Sequence, residues 1–389
     1  MKAPGKNRGA RRPLAALTYL LRNSGKTIPL IGVIMLAVML IAGIVAMINS
    51  ITFSIQTIYS YSSNFLALSP RGDPTLTPGL RKEVEEGSPV PLERVMMVRG
   101  TSTQVRSLVG KWPFVAIGLK RDDQNYWLKR LHTSRIEGRL PDKNKPEALI
   151  SEPVARNLKL AIGSRLLDPE DQESWAPDTV KVVGIAYTDQ WTMVLDYDYV
   201  NNNFFPPIDR VLFFAKDRAH QERLDDWAFE HFKGSRAELY AYRVIDRQSK
   251  TMFKTLFQIL NVVIGLLVVV ITFMMGMLIN IYQSQRLVEF GLLQALGYTK
   301  RQLLTRVLKE SAVVVVFGWI FGVGLGYGLL VIVKRTLMDP NGFGLLVNDP
   351  VAFRYTLPIP IAIMLVAIFT VVLRFRNFDP VGVVERRLV

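Results

Sequence analysis

Three uninterrupted apolar runs, residues 28–48, 259–281 and 311–333, each exceed the roughly 18 charge-free residues that a helix needs to cross a bilayer. Lipid offers backbone N–H and C=O groups no partner, so the runs are read as membrane-spanning helices. A fourth run, 357–373, is shorter and opens on Pro358 and Pro360. It is read as the fourth span. The first run outlasts the roughly 7–15 residues of a secretory signal core, and no small-x-small cleavage site follows Ile48. It is read as a retained anchor.

The expected fold is a membrane protein with four transmembrane α-helices and a large α/β extracytoplasmic domain inserted between helices 1 and 2. The boundaries run from a basic tail (1–27) to a first span at 28–50, whose helix continues as a stalk to about 65. The inserted domain (51–250) leads to a stalk and second span (251–283), then a loop (284–310) and third span (311–333). A short outer loop (334–356), the fourth span (357–373) and a tail (374–389) complete the chain.

A net charge of +15 invites a nucleic-acid reading until its location is considered. Segment 1–27 has seven basic residues and no acid; 282–310 has five basic and two acidic; 374–389 has four and two. Together these carry +12, whereas 51–250 holds 28 basic and 27 acidic residues. The excess flanks alternate ends of the spans. This is the positive-inside pattern: both termini and the middle loop are expected in the cytoplasm, with 51–250 outside. The charge is thereby assigned to the membrane, and nucleic acid is not an expected partner.

The chain has no cysteine, so the inserted domain must rest on its own core, for which 200 residues suffice. His132, His220 and His231 are scattered and match no metal-ligand spacing, so no metal site is expected. Strands are expected at 95–98, 114–119, 148–150, 180–186, 210–215 and 238–244, where β-branched and aromatic residues gather. Helices are expected at 126–131, at 152–160 (Ser151 as cap, Gly163 just past the end) and at 221–232. Residues 72–91 read as a loop or a short exposed helix.

Three segments carry functional candidates. In 286–310, Leu287, Val288, Leu292, Leu293 and Leu296 make a short amphipathic helix that Gly297 can end, and Thr299 with Gln302 forms a capping box for the next helix. Two joined helices at a membrane surface read as a docking element or, equally, as a plain chain reversal. Segment 189–205 gathers Trp191, Tyr197, Tyr199, Phe204 and Phe205 among acids and asparagines. It is read as a packed strand pair or as a partner or substrate contact. In the third span Gly318, Gly322 and Gly326 fall at i, i+4 and i+8, the spacing that lets another helix lie close.

There is no GxxxxGK[ST], GxSxG, HExxH or CxxC, and the apolar cores carry no ionisable residue. No catalytic residue is expected. A carrier usually keeps an ionisable group at the midplane, so transport by this chain requires energy from another subunit.

Several stretches together resemble the permease subunits of MacB/FtsX-type ABC transporters, also called type VII. Arg286, Glu289, Phe290, Gly291, Leu292, Ala295, Leu296, Gly297, Thr299 and Gln302 match that family's coupling region, with Glu310 as its acid before the third span. Tyr298 departs from the family's small residue. Segments 137–141 (EGRLP), 147–163 and 180–185 (VKVVGI) resemble the MacB-like core domain in order, and Asp379, Pro380, Val381, Glu385 and Arg386 resemble the family's closing signature. The resemblance implies a bacterial inner-membrane protein that dimerises with itself or a sister permease. It implies a separate ABC ATPase subunit that binds ATP and Mg, since this chain carries no cofactor of its own. The ATPase would grip the helix starting at Arg286, with Leu292, Leu293 and Leu296 buried against it. A membrane-fusion protein is a further partner in many members. Export of an amphiphilic, peptide or lipid substrate is the implied function; the alternative is a signalling regulator that controls a wall hydrolase or sensor without moving substrate.

Overall fold

The computed structural model describes residues 22–71, 73–204, 209–235 and 237–376. The chain divides into a helical unit drawn from Met1–Ile48, Leu256–Ile332 and Val347–Val389, and a sheet unit drawn from Asn49–Thr255 and Val333–Leu346. Most of the basic N-terminal tail and the closing signature at 379–386 lie outside the described residues.

Helix α1 (Ser24–Ile58) opens the chain as a single 35-residue element. The stalk stops short of the expected residue 65, because the chain turns at Tyr59 into a 3-10 turn, Ser60–Asn64. The sheet unit then runs β1 (Leu66–Pro70), α2 (Thr77–Gly87), β2 (Leu92–Ser107), β3 (Gly110–Leu119), α3 (Arg121–Arg130), β4 (Arg135–Gly138) and β5 (Glu147–Ser151). It continues through α4 (Glu152–Leu158), β6 (Arg165–Leu167), β7 (Val180–Tyr187), β8 (Met193–Asp196), α5 (Tyr197–Asn203), β9 (Arg210–Ala215), α6 (Arg218–His231) and β10 (Ala237–Tyr240).

The strands join in the order β10-β1-β9-β2-β3-β8-β5-β7-β4, with β6 on β7. Strand β2 is the joint of this sheet. Its first half, Leu92 to Val98, pairs with β9, and from Arg99 onward it pairs with β3. On one face Leu66, Leu68, Val211 and Phe213 pack with Val84 of α2 and Leu224, Ala228 and Phe232 of α6. The alternation of these residues along β1 and β9 is what a strand with one face against helices requires. A second cluster is aromatic: Tyr61, Phe65, Phe114, Trp127 and Phe214 meet with ring centroids 5.4–6.3 Å apart. Gly138 and Gly184 stand opposite each other in the β4–β7 pair, where a Cβ on either would come within 2.3 Å of a backbone oxygen. This close approach explains why both sequence motifs carry glycine there.

Helix α6 is tied to the sheet by Gln221, whose side chain accepts from the Ala215 N–H at 2.9 Å and donates to Asp225 at 3.1 Å. Burial pushes the Asp225 carboxyl up to about 7, outweighing the Gln221 hydrogen bond and the Arg243 charge that pull it down. Asn157, fully buried on α4, accepts from the Arg106 N–H and donates to the carbonyls of Arg106 and Asn341. It thereby ties the segment after the third span into the sheet unit.

The expected strand at 238–244 is cut short. β10 ends at Tyr240 and α7 (Tyr242–Ser284) begins at once. Its start buries Ala241, Ile245, Ser249 and Phe253, four apart, so helical periodicity prevails over the β-branched content of the run. Helix α4 ends at Leu158 with Lys159 in the left-handed conformation as its cap, slightly short of the expected end at 160. The Ser151 hydroxyl, expected as its cap, instead accepts from the Thr192 N–H. Residues 77–87 resolve the loop-or-helix choice in favour of a helix.

The remaining elements are α8 (Leu287–Ala295), α9 (Lys300–Val333), α10 (Pro350–Arg354) and α11 (Pro358–Arg376). Among the described residues, four helical stretches are long and apolar enough to cross a membrane: Ser24–Ile58, Tyr242–Ser284, Lys300–Asn341 and Pro350–Arg376. In α11 the residues Ile359, Ile363, Ala367, Val371 and Phe375 form the buried stripe, one per turn.

Candidate functional site

The site is the elbow formed by α8, the turn at Gly297 and the start of α9. Gly297 takes φ +94, which an L side chain rarely adopts, and the Tyr298 N–H returns to the Leu293 carbonyl at 3.1 Å to close α8. The next helix opens on a reciprocal cap. The Thr299 N–H donates to Gln302 Oε1 at 2.9 Å, and the Gln302 N–H donates to Thr299 Oγ1 at 3.3 Å. The two caps fix the bend without help from a partner.

Inside the elbow, Phe290 packs with Leu303 and Val307 of α9 and with Val371 and Phe375 of α11. Leu287, Leu293 and Tyr298 lean on this cluster, which accounts for a large ring at position 298. Above it lies a ring of four charges. Arg286 donates to Glu289 at 3.0 Å and to Glu310 at 2.6 Å, while Arg306 donates to Glu310 at 3.1 Å and lies 3.9 Å from Glu289. The Arg286 and Glu310 side chains are only 4% and 3% exposed. Burial works against the Arg286 charge, but the hydrogen bonds it donates to Glu310 and Glu289 outweigh it and hold the guanidinium above its usual range. The ring is neutral, with Arg286 and Glu310 paired away from water and Glu289 partly exposed at its edge. Its rings of contact include the Phe290 face, 5.0 Å from the Arg286 guanidinium. Gln283, one turn before Arg286, is also buried, and neither atom of its amide is hydrogen-bonded within the described chain.

The outer face of α8 is apolar. Leu292 is 62% and Leu296 70% exposed, with Val288 one turn earlier and Ala295 beside them also exposed. The structure therefore divides the sequence candidates. Leu292, Ala295, Leu296 and the adjacent Gly297 face outward; Phe290, Gly291 and Arg286 are buried; Leu293 turns toward the chain's own core; and Glu289 stands half-buried at the edge. Sequence reasoning matched Arg286 and Glu310 separately to the coupling region and did not pair them across 24 residues.

The aromatic segment resolves into β8 and α5. Trp191 and Tyr199 are 1% exposed, so these two rings are core. Tyr197 donates to Asp209 at 3.1 Å beneath Lys120, and Phe204 packs edge-on against Trp175 and Tyr199. Phe205 lies outside the described residues. The glycine stripe is used within the chain. A Cβ on Gly318 would lie 2.8 Å from Ile34, one on Gly322 2.7 Å from Val38, and one on Gly326 3.6 Å from Ala42. The three small residues seat α9 directly on α1. Among the described residues no group of His, Asp and Glu is placed to hold a metal ion.

The FtsX-like permease C-terminal family model matches residues 261–380, and the MacB-like periplasmic core domain model matches residues 30–230. Among solved structures, the periplasmic region of MacB from Actinobacillus actinomycetemcomitans is 9% identical with a TM-score of 0.27, over 50% of this chain and 96% of that one. The extracellular domain of the ABC-type transporter YknZ from Gram-positive bacteria is 12% identical with a TM-score of 0.24, over 46% of this chain and 100% of that one. No curated protein sequence matches the chain.

Proposed function

The chain belongs to the family of MacB/FtsX-type ABC-transporter permeases, and from that membership we propose that it transmits ATP-driven motion from a separate ATPase to an extracytoplasmic sheet domain, for export of an amphiphilic, peptide or lipid substrate. As a permease of an ABC-type system it is a multi-pass, non-enzymatic membrane component. The observation that carries the proposal is the exposed stripe of Val288, Leu292 and Leu296 on a helix anchored from behind by a buried ion ring.

An apolar stripe on a rigid support suits a groove in a partner. Burying three such side chains is worth about 1.5–3 kcal/mol each before the cost of association. In this reading the ATPase, holding ATP and Mg, grips α8 at the cytoplasmic face of the bacterial inner membrane, and both termini lie on that side. A push on α8 passes through the ion ring into α9. Helices α1 and α7 each run unbroken from residues of the helical unit into residues of the sheet unit, so they are the stalks along which the motion would travel. A second permease copy or sister would find apolar surface on α7, where Val262, Leu266, Phe273 and Met277 are exposed. A membrane-fusion protein is compatible with the family but has no assigned surface.

The test is Leu292→Asp, with Glu289→Arg beside it. Each variant should insert, lose the co-purifying ATPase, and leave ATP hydrolysis uncoupled from export. Leu292→Asp should also fold as wild type, whereas Glu289→Arg sets a third cation beside Arg286 and Arg306 and should lower stability as well. Retention of the ATPase by Leu292→Asp at wild-type yield would sink the docking claim.

A further inference from the structure

We propose that the elbow carries a binding site for an anionic phospholipid headgroup, separate from the apolar stripe of α8. The site is a groove of about 470 Å³ along the first turns of α9, lined by Leu293, Tyr298, Leu303, Arg301, Arg306 and Lys309, with Thr305 between the cations.

The charges decide the sign of the ligand. Glu289 and Glu310, the acids at this elbow, are both taken up by Arg286 and Arg306 in the ring. Arg301 and Lys309 form no ion pair among the described residues, and both side chains are exposed. They stand eight residues apart, two turns or about 12 Å along one helix face, so their long side chains converge over the groove from its two ends. Two cations without acids, above a partly apolar floor, complement an anion attached to an apolar body.

The position decides its source. Lys309 is two residues before Ser311, where the apolar run of the third span begins. A groove at that depth opens among the lipid headgroups, where a basic pocket beside a span meets anionic lipid. A free phosphate would gain nothing from the Leu293 and Tyr298 floor. The proposal rests on α9 being a span, and does not depend on α8 gripping an ATPase.

The experiment is native mass spectrometry of the full chain, purified in detergent, delipidated and titrated with dioleoyl-phosphatidylglycerol or dioleoyl-phosphatidylcholine. Wild type should prefer phosphatidylglycerol, and Arg301→Gln with Lys309→Gln should weaken that binding about tenfold or more. Lys334→Gln with Arg335→Gln removes two charges at the other end of α9 and should leave the preference intact. The proposal is overturned if Arg301→Gln/Lys309→Gln keeps the preference, or if the control pair loses it equally. It is overturned too if excess inorganic phosphate displaces the lipid, which marks a soluble-anion site. It also falls if the variant binds lipid as wild type yet loses a co-purifying protein, since the groove then contacts a polypeptide.

Discussion

At the elbow the chain buries Arg286 and Glu310 together, with Arg306 and Glu289 partly buried beside them, whereas the sheet unit fills its interior with rings and aliphatic side chains such as Tyr61, Phe114, Trp127 and Leu68. The two solutions differ in what they tolerate. A packed apolar core accepts exchanges of similar volume, because its attraction is non-directional. A buried ion ring accepts almost none, because removal of one member strands a charge away from water. The ring also fixes direction, since each carboxylate must meet its guanidinium at about 3 Å. Orientation is thus specified most strictly at the part of the chain proposed to receive force.

The largest effect should come from Glu310→Ala. It leaves Arg286 buried beside a single half-exposed carboxylate, and about 3–5 kcal/mol of stability should be lost on thermal unfolding in detergent. Arg286→Met with Glu310→Leu should recover most of that loss, because an apolar pair of similar volume commonly replaces a buried ion pair without penalty. A double variant as unstable as the single one would break the contrast.

In the sheet unit Leu68→Ala should cost about 3 kcal/mol, and Leu68→Met less than about 1.5 kcal/mol, by the same measurement. A severe loss with methionine would mean that this core is as directional as the ring.

Asp225 offers a pH test of the most strongly raised carboxylate among the described residues. Its folded value, about 7, lies above its unfolded one, so its contribution is fully present below about pH 4, erodes as the pH rises, and is gone once the pH passes the folded value. Asp225→Asn should match wild type near pH 4 and melt at a higher temperature near pH 8. Equal melting temperatures at both pH values would refute the burial account. The smallest effect should be that of Gln283→Leu, which removes a buried amide without hydrogen bonds in the described chain and should stabilise by about 1 kcal/mol.

Much of this was legible in the sequence where local chemistry decides. The apolar runs gave the four spans, Gly297 and the Thr299–Gln302 pair gave the bend, and 210–215 gave strand β9 to the residue. What escaped depends on distant partners. Strand β1, a five-residue run ending in Pro70, carries little pattern until β9 and β10 flank it. Strand β8 is legible only within a packed strand pair over 189–205, and the second strand of that pair is instead a helix, because Asp196 caps the turn into α5. Arg286 and Glu310 were both noticed, but pairing across 24 residues is set by the fold of the elbow and by no local spacing.

The glycines that seat α9 on α1 have a mechanical consequence. With Gly318 against Ile34, Gly322 against Val38 and Gly326 against Ala42, the two rods are notched together at three successive turns. Any side chain larger than hydrogen at the first two notches would meet the branched Ile34 and Val38, so the rods cannot slip past one another there. They behave as a spliced beam, so a load applied to one is borne by both. Helix α1 lies more than 200 residues from the elbow in sequence, yet it cannot stay behind when α9 shifts along its axis.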